Sequence, residues 1–338
     1  MTIALRKNNH IEICMTKNVR SAVTNGFECY RLLHNALPEA DFESYSIESK
    51  FLNYQIMAPF LISSMTGGTE SGEKINRNLI EAAEALNIPF AIGSQRIYLL
   101  NSEKKPLDYR RIAPDIPILA NLGAIQLNYG FSRDHFLKAV DMIGADALIL
   151  HLNPLQELIQ KDGDTNFSDL LRKIGKLCSN FPVPVIVKEV GWGIQPELAK
   201  KLTDAGVFMI DAAGAGGTSW SQVESLIDES GISAKIAAPF ADWGIPTAEC
   251  IRSIHQKYPE IKLIASGGIT NGVEAAKAIF LGAQLCGMAL HLLNAAAEGS
   301  AEKVAEEITC VIKQYKIAHF LSNGIVRIDG RSNETANC

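Results

Sequence analysis

The chain has 338 residues, 47% of them hydrophobic, enough for a large core and for either two domains or one α/β barrel. Its net charge of -5 argues against a broad phosphate-tracking surface, so any anion site has to be local. Seven cysteines are scattered without metal-ligand spacing, and no apolar run approaches the roughly 20 residues of a membrane span, so the expectation is a soluble, cytoplasmic protein with reduced thiols and neither nucleic-acid nor membrane partners.

Residues 1–58 read as an extension; the βα rhythm begins at about residue 59. Candidate strands follow at 60–65 (FLISSM), 90–94 (FAIGS), 118–122 (ILANL), 147–152 (ALILHL), 185–190 (VIVKEV), 208–214 (FMIDAAG), 263–268 (LIASGG) and 285–289 (LCGMA). Between them lie segments of helical period, such as 73–87, where Ile75, Leu79, Ala82, Ala83 and Leu86 form one apolar stripe. Eight strands with helical crossovers predict a (β/α)8 TIM barrel over 59–289, followed by a C-terminal helical region at 290–338, the whole being one domain; a doubly wound sheet is the alternative. The stretch 215–246 is long for a connection and predicts a functional loop over the barrel mouth.

Barrel enzymes build their sites at the C-terminal strand ends, which here read MTGG, GSQR, NLG, HLN, KE, AAGAGGTSW, SGG and GMA. Gly267 and Gly268 either let backbone amides approach an anion or simply make a tight turn. Lys188 sits among Val and Ile and needs a partner: a structural carboxylate, a ligand anion or an electron-rich ring. Arg6, Lys7 and His10 read as a solvated tail or, if the N-terminus folds over the mouth, as a second anion site. Arg96 stands at a strand end, and in HLNPLQE the polar groups of Asn153, Gln156 and Glu157 should face the mouth. Glu157 with Asp164 could offer oxygen ligands to a hard cation, or Glu157 could be a helix-start carboxylate; His151 fits a core or a catalytic role equally. The G-x-S-x-G, HExxH and GxxxxGK[ST] motifs are absent.

RKNNH, LLHNALPEADF, MTGGTESGEKINRNL, GSQR, HLNPLQE, VIVKEVGWG, DAAGAGGTSW, ASGGITNG and LGAQLCGMA, in that order, closely resemble the type 2 isopentenyl diphosphate isomerases. The resemblance runs to about residue 325. It implies an FMN-dependent barrel, usually homo-oligomeric (tetramer or octamer), that interconverts isopentenyl and dimethylallyl diphosphate with Mg²⁺, NADPH as flavin reductant and no net redox change. It implies FMN contacts at Ser64, Met65, Thr66, Ser94, Asn121, Lys188, Thr218, Gly267, Gly268, Ile269, Met288 and Ala289. Substrate contacts are implied at Arg6, Lys7, His10, Ser94, Gln95, Arg96, Gln156 and Trp220, catalytic positions at Gln156, Lys188, His151 and Asn153, and a metal ligand at Glu157.

Three departures stand out. Ala213 occupies a position where many members have Ser, QELIQKDGDTNF lacks a common Pro-Glu before Gly-Asp, and Ala289-Leu290-His291 replaces a common Ala-Arg-Pro. The alternative activity is that of the related FMN-dependent 2-hydroxy acid oxidases, which need a His and Arg pair after the sixth strand; DAAGAGGTSW has neither.

Overall fold

The fold comes from a computed structural model, which describes residues 3–101, 103–228 and 231–328. Eight parallel strands close a barrel: β1 (Phe60–Ile62), β2 (Phe90–Ala91), β3 (Ile118–Gly123), β4 (Ala147–Leu152), β5 (Val185–Glu189), β6 (Met209–Asp211), β7 (Leu263–Ala265) and β8 (Leu285–Met288). Each pairs with its sequence neighbour, and β8 pairs with β1 to complete the ring. All eight sequence-predicted strands are present and the doubly wound alternative is excluded. The fourth spans its expected residues and the third runs one residue further; the other six are shorter, and in β2, β6 and β7 the ends that contain Gly leave the ladder as loops.

Alternation along these strands sorts the core. Leu61, Ala91, Leu119, Ile149, Ile186, Met209, Ile264 and Leu285 fill the barrel interior, while Phe60, Ile62, Leu148, Leu150, Val185, Val187, Leu263 and Cys286 face the surrounding helices. Both faces are buried, which is why the strands read as continuous apolar runs. Phe51 and Ile56, from the hairpin Ser49–Phe51 and Tyr54–Ile56, join the interior cluster and close the end where the strands begin. Tyr54 Oη donates to Asp146 Oδ1 at 2.8 Å, just before β4.

Helix Glu70–Ala85 starts at Thr69, whose Oγ1 accepts from the Gly72 amide, and buries the predicted Ile75, Leu79, Ala82 and Ala83. Three expectations change. Residues 3–16 form a helix, so RKNNH belongs to an ordered element. The long stretch after β6 contains helices Trp220–Ile227 and Ile232–Ala237; its residues 229 and 230 lie outside the described residues. The C-terminal region has helices Leu290–Glu298 and Ala301–Phe320, but 322–327 form a strand that pairs antiparallel with Tyr30–His34, an extended pairing that the helical reading did not anticipate. Residues 329–338, including Cys338, lie outside the described residues.

Candidate active site

The interior face of the barrel changes character one step beyond its apolar layer. Positions two residues on from Leu61, Ala91, Leu119, Ile149, Ile186, Met209, Ile264 and Leu285 are Ser63, Gly93, Asn121, His151, Lys188, Asp211, Ser266 and Gly287. A period of two therefore turns the C-terminal strand ends into a ring of polar or small groups. Above it lies a cavity of about 930 Å³, within the size range of cofactor sites.

The ring is internally bonded. Lys188 Nζ donates to Ser266 Oγ at 2.9 Å and lies 3.1 Å from Asp211 Oδ2, and Ser266 Oγ donates to Asp211 Oδ1 at 2.5 Å. The partner Lys188 required is a structural carboxylate, and the lysine also lines the cavity. Across the barrel, Asn121 Nδ2 donates to Ser64 Oγ at 2.8 Å, and Asn121 Oδ1 lies 2.8 Å from His151 Nδ1. Burial, with Lys188, Lys7 and Arg96 nearby, pushes the His151 pKa down to about 4, so the ring is neutral at pH 7. Its Nδ1–H then donates to Asn121, leaving Nε2 as an acceptor.

One side of the cavity carries cations. Lys7 Nζ donates to the carbonyls of Gly67 at 2.6 Å and Ser94 at 2.7 Å, which holds helix Ile3–Thr16 over the mouth. Burial lowers its pKa to about 8. Arg6 and Arg96 line the same cavity, and the Nε of each is buried without a partner. Arg96 Nη1 also pairs with Asp164 Oδ2 at 2.8 Å.

HLNPLQE forms a bonded wall. Pro154 opens helix Pro154–Ile159, where its missing N–H costs nothing. Asn153 Nδ2 donates to Gln156 Oε1 at 3.1 Å and to Glu157 Oε1 at 3.0 Å. Gln156 Nε2 donates to Glu224 Oε1 at 2.8 Å, and His10 Nε2 lies 2.9 Å from the same oxygen. The His10 ring meets Trp220 edge-on at 5.1 Å. Glu224 did not emerge from the sequence reading; the available signal was its i,i+4 spacing from Trp220, which puts both on one helix face.

Two of the expected contact residues do not line the cavity. Gln95 is fully buried behind the cavity: its Nε2 donates to the Ala139 carbonyl and its Oε1 accepts from the Asn121 amide, so its side chain is committed to scaffold. Met288 has the opposite strand parity from Gly287, and its side chain packs in the outer core. The Glu157 and Asp164 pair also dissolves. Asp164 Oδ2 is taken by Arg96 and Gln126, and only its backbone N–H reaches Glu157 Oε2, at 2.7 Å.

Ser64, Met65, Thr66, Ser94, Asn121, Lys188, Thr218, Gly267, Gly268, Ile269 and Ala289 all line the cavity, as do Arg6, Lys7, His10, Arg96, His151, Asn153, Gln156, Glu157 and Trp220. The sequence reading also missed Glu189, whose Oε2 gathers the amides of Val190, Gly191 and Trp192 at 2.6 to 2.7 Å and fixes the turn after β5. Gly267 has φ 105°, and a Cβ there would lie 2.2 Å from the Gly214 carbonyl oxygen, so this turn requires glycine. Ala213, at φ 39°, holds a left-handed backbone beside the cavity.

The cavity fits a flavin phosphate. It has the volume, a glycine turn after β7, a helix start after β8, and unpartnered buried polar atoms at Ser63 Oγ and both ring nitrogens of His291. Glu157 fits the one-carboxylate mode by which Mg²⁺ is shared with a substrate phosphate. It lines the cavity, and burial raises its pKa, a cost that a cation would offset. Among the described residues no three His, Cys, Asp or Glu side chains converge into an all-protein metal cage. No described helix is long and apolar enough to cross a membrane.

Comparison with known proteins agrees with this chemistry. The FMN-dependent dehydrogenase family matches residues 141–322. Solved structures of a flavocytochrome b2 (TM-score 0.68, 15% identity, 97% of this chain and 86% of that one) and of a lactate oxidase from Pediococcus acidilactici (0.65, 15%, 96% and 94%) share the fold. Isopentenyl-diphosphate delta-isomerases are far more similar in sequence: 49% identity with that of Oceanobacillus iheyensis over 87% of this chain and 84% of the relative, and 48% with that of Nostoc sp. over 91% and 90%. At such identity and coverage the chain belongs to the isopentenyl-diphosphate delta-isomerases, built on an FMN-dependent (β/α)8 barrel.

Proposed function

We propose that the protein interconverts isopentenyl and dimethylallyl diphosphate by proton addition and removal, without net redox change. The observation that supports this most directly is the cavity itself. Its floor of Lys188 and Ser266, its wall of Gln156 and His10, and its side bearing Arg6, Lys7 and Arg96 face one space, with Asp211 and Glu224 buried behind the floor and the wall.

Reduced FMN, when bound, supplies an electron-rich surface and an acid–base centre for the double-bond shift. Lys188 favours negative charge above it. Gln156 is too weak an acid to be the preferred proton donor. Its amide is fixed at both ends, by Asn153 and by Glu224, so it orients the allylic carbons, and Glu224 holds His10 beside it. Neutral His151 offers an acceptor at Nε2. Arg6, Lys7 and Arg96 bind the diphosphate, and Glu157 holds the Mg²⁺ that screens it. NADPH as the flavin reductant, a cytoplasmic homo-oligomer of four or eight subunits, and the lack of nucleic-acid or membrane partners belong to the same proposal.

Protein supplied with FMN, NADPH and Mg²⁺ is expected to convert isopentenyl diphosphate to the allylic isomer, read by NMR. Lactate turnover in its place, the activity of the oxidase relatives, would contradict the proposal.

A further inference from the structure

His291 has no part in the chemistry above, yet it lines the cavity with both ring nitrogens buried and unpartnered. A buried imidazole without a hydrogen-bond partner is costly, and such groups call for an explanation. Its place in the fold narrows the explanation. His291 is the second residue of helix Leu290–Glu298, the helix that follows β8, and its first-turn amides are the natural neighbours of an anion.

β7 and β8 are paired in register, Ile264 with Leu285 and Ala265 with Cys286. Beyond those pairs the Gly267 and Gly268 turn lines the same cavity as Ala289, Leu290 and His291. A second unpartnered group lies on the adjoining seam. Ser63, only 3% exposed and with Oγ unpartnered, directly follows β1, and its amide donates to the Met288 carbonyl at 2.8 Å. Two buried polar groups without partners, Ser63 Oγ and the His291 ring, thus line one cavity.

We propose that His291 is a phosphate-binding side chain of the flavin site, donating to the cofactor's phosphoryl group. The inference rests on the flavin reading of the cavity and adds a residue to it. The surroundings suit this role. Burial lowers the pKa of the ring, while Glu307 on helix Ala301–Phe320 and Glu274 on helix Gly272–Phe280 oppose that shift, and a phosphate dianion alongside would favour the doubly protonated ring that can donate to it.

Flavin-free protein is titrated with FMN and with riboflavin, which lacks the phosphate, and binding is followed by flavin fluorescence. For His291→Ala the FMN dissociation constant should rise about tenfold or more, the range for a hydrogen bond to a charged group, with riboflavin binding unchanged. His291→Gln, which keeps an N–H donor, should recover part of the loss and shows that the site still folds. Equal weakening of FMN and riboflavin, or no change in either, overturns the inference. So does an unchanged FMN constant with a raised KM for isopentenyl diphosphate, which would put the ring on the substrate. Wild-type protein that bound neither flavin would overturn the flavin reading itself, and the inference with it.

Discussion

Lys188 and Asp211 are register partners on β5 and β6, and their side chains meet 3.1 Å apart beneath the cavity, where Ser266 bonds to both. The pair is almost wholly buried, so its members depend on each other. Lys188→Ala strands a buried carboxylate and should cost about 3 to 5 kcal/mol in urea unfolding. Lys188→Ala with Asp211→Ala should regain most of that stability without regaining turnover. Full activity in the double variant would show that Lys188 serves the scaffold alone.

Glu224 holds both Gln156 and His10 through one oxygen. Glu224→Gln preserves shape but replaces the acceptor that orders them. We expect kcat to fall about tenfold or more, the range for a lost hydrogen bond to a charged group, with the absorbance spectrum of bound flavin unchanged. A fall in flavin affinity that accounts for the whole loss would assign Glu224 to structure.

Alternation along the strands makes part of this site legible in the sequence. The eight strands were legible because burial on both faces makes them continuous apolar runs that end in Gly or polar residues. Parity along a strand was not applied to individual contacts, which is why Met288 was placed on the cavity when its side chain faces the helices. Gln95 was misplaced for a different reason: beyond β2 the chain turns, and its amide is consumed by the scaffold groups of Asn121 and Ala139. Helix Ile3–Thr16 carries its charges without a clear apolar stripe, and only tertiary bonds such as Lys7 to Gly67 and Ser94 show why it is ordered. Glu224 lay in a stretch read as loop, so its helical spacing from Trp220 went unused.

His151 ties stability to pH. Its folded pKa, about 4, lies below the 6.5 of the unfolded chain, so the unfolded state binds the proton first as pH falls. The sign follows: stability is fully present above pH 6.5 and is lost progressively as pH drops from 6.5 to 4. Relative to His151→Gln, the wild type should lose about 3 kcal/mol more across that window in denaturant titrations. Parallel pH profiles for the two proteins would show that the ring is not held neutral.

Glu189 gathers three backbone amides at the end of β5, beside Lys188. Glu189→Leu leaves those donors without their acceptor and should destabilise the protein by about 3 kcal/mol or more, measured by thermal unfolding. An unchanged Tm would mean that the turn after β5 is set by its glycines.

Glu157 is the carboxylate expected to hold Mg²⁺. In Glu157→Gln the Mg²⁺ concentration for half-maximal turnover should rise about tenfold or more, while FMN binding stays as in the wild type. An unaltered Mg²⁺ dependence would put the cation elsewhere.

In the proposed reaction the flavin must be reduced but is not consumed. Anaerobic protein with dithionite-reduced FMN, Mg²⁺ and no nicotinamide is mixed with isopentenyl diphosphate, and both the isomer ratio and the flavin spectrum are followed. Many turnovers to dimethylallyl diphosphate are expected, with the flavin still reduced at the end. Turnover that stops after one equivalent as the flavin oxidises would contradict the proposal.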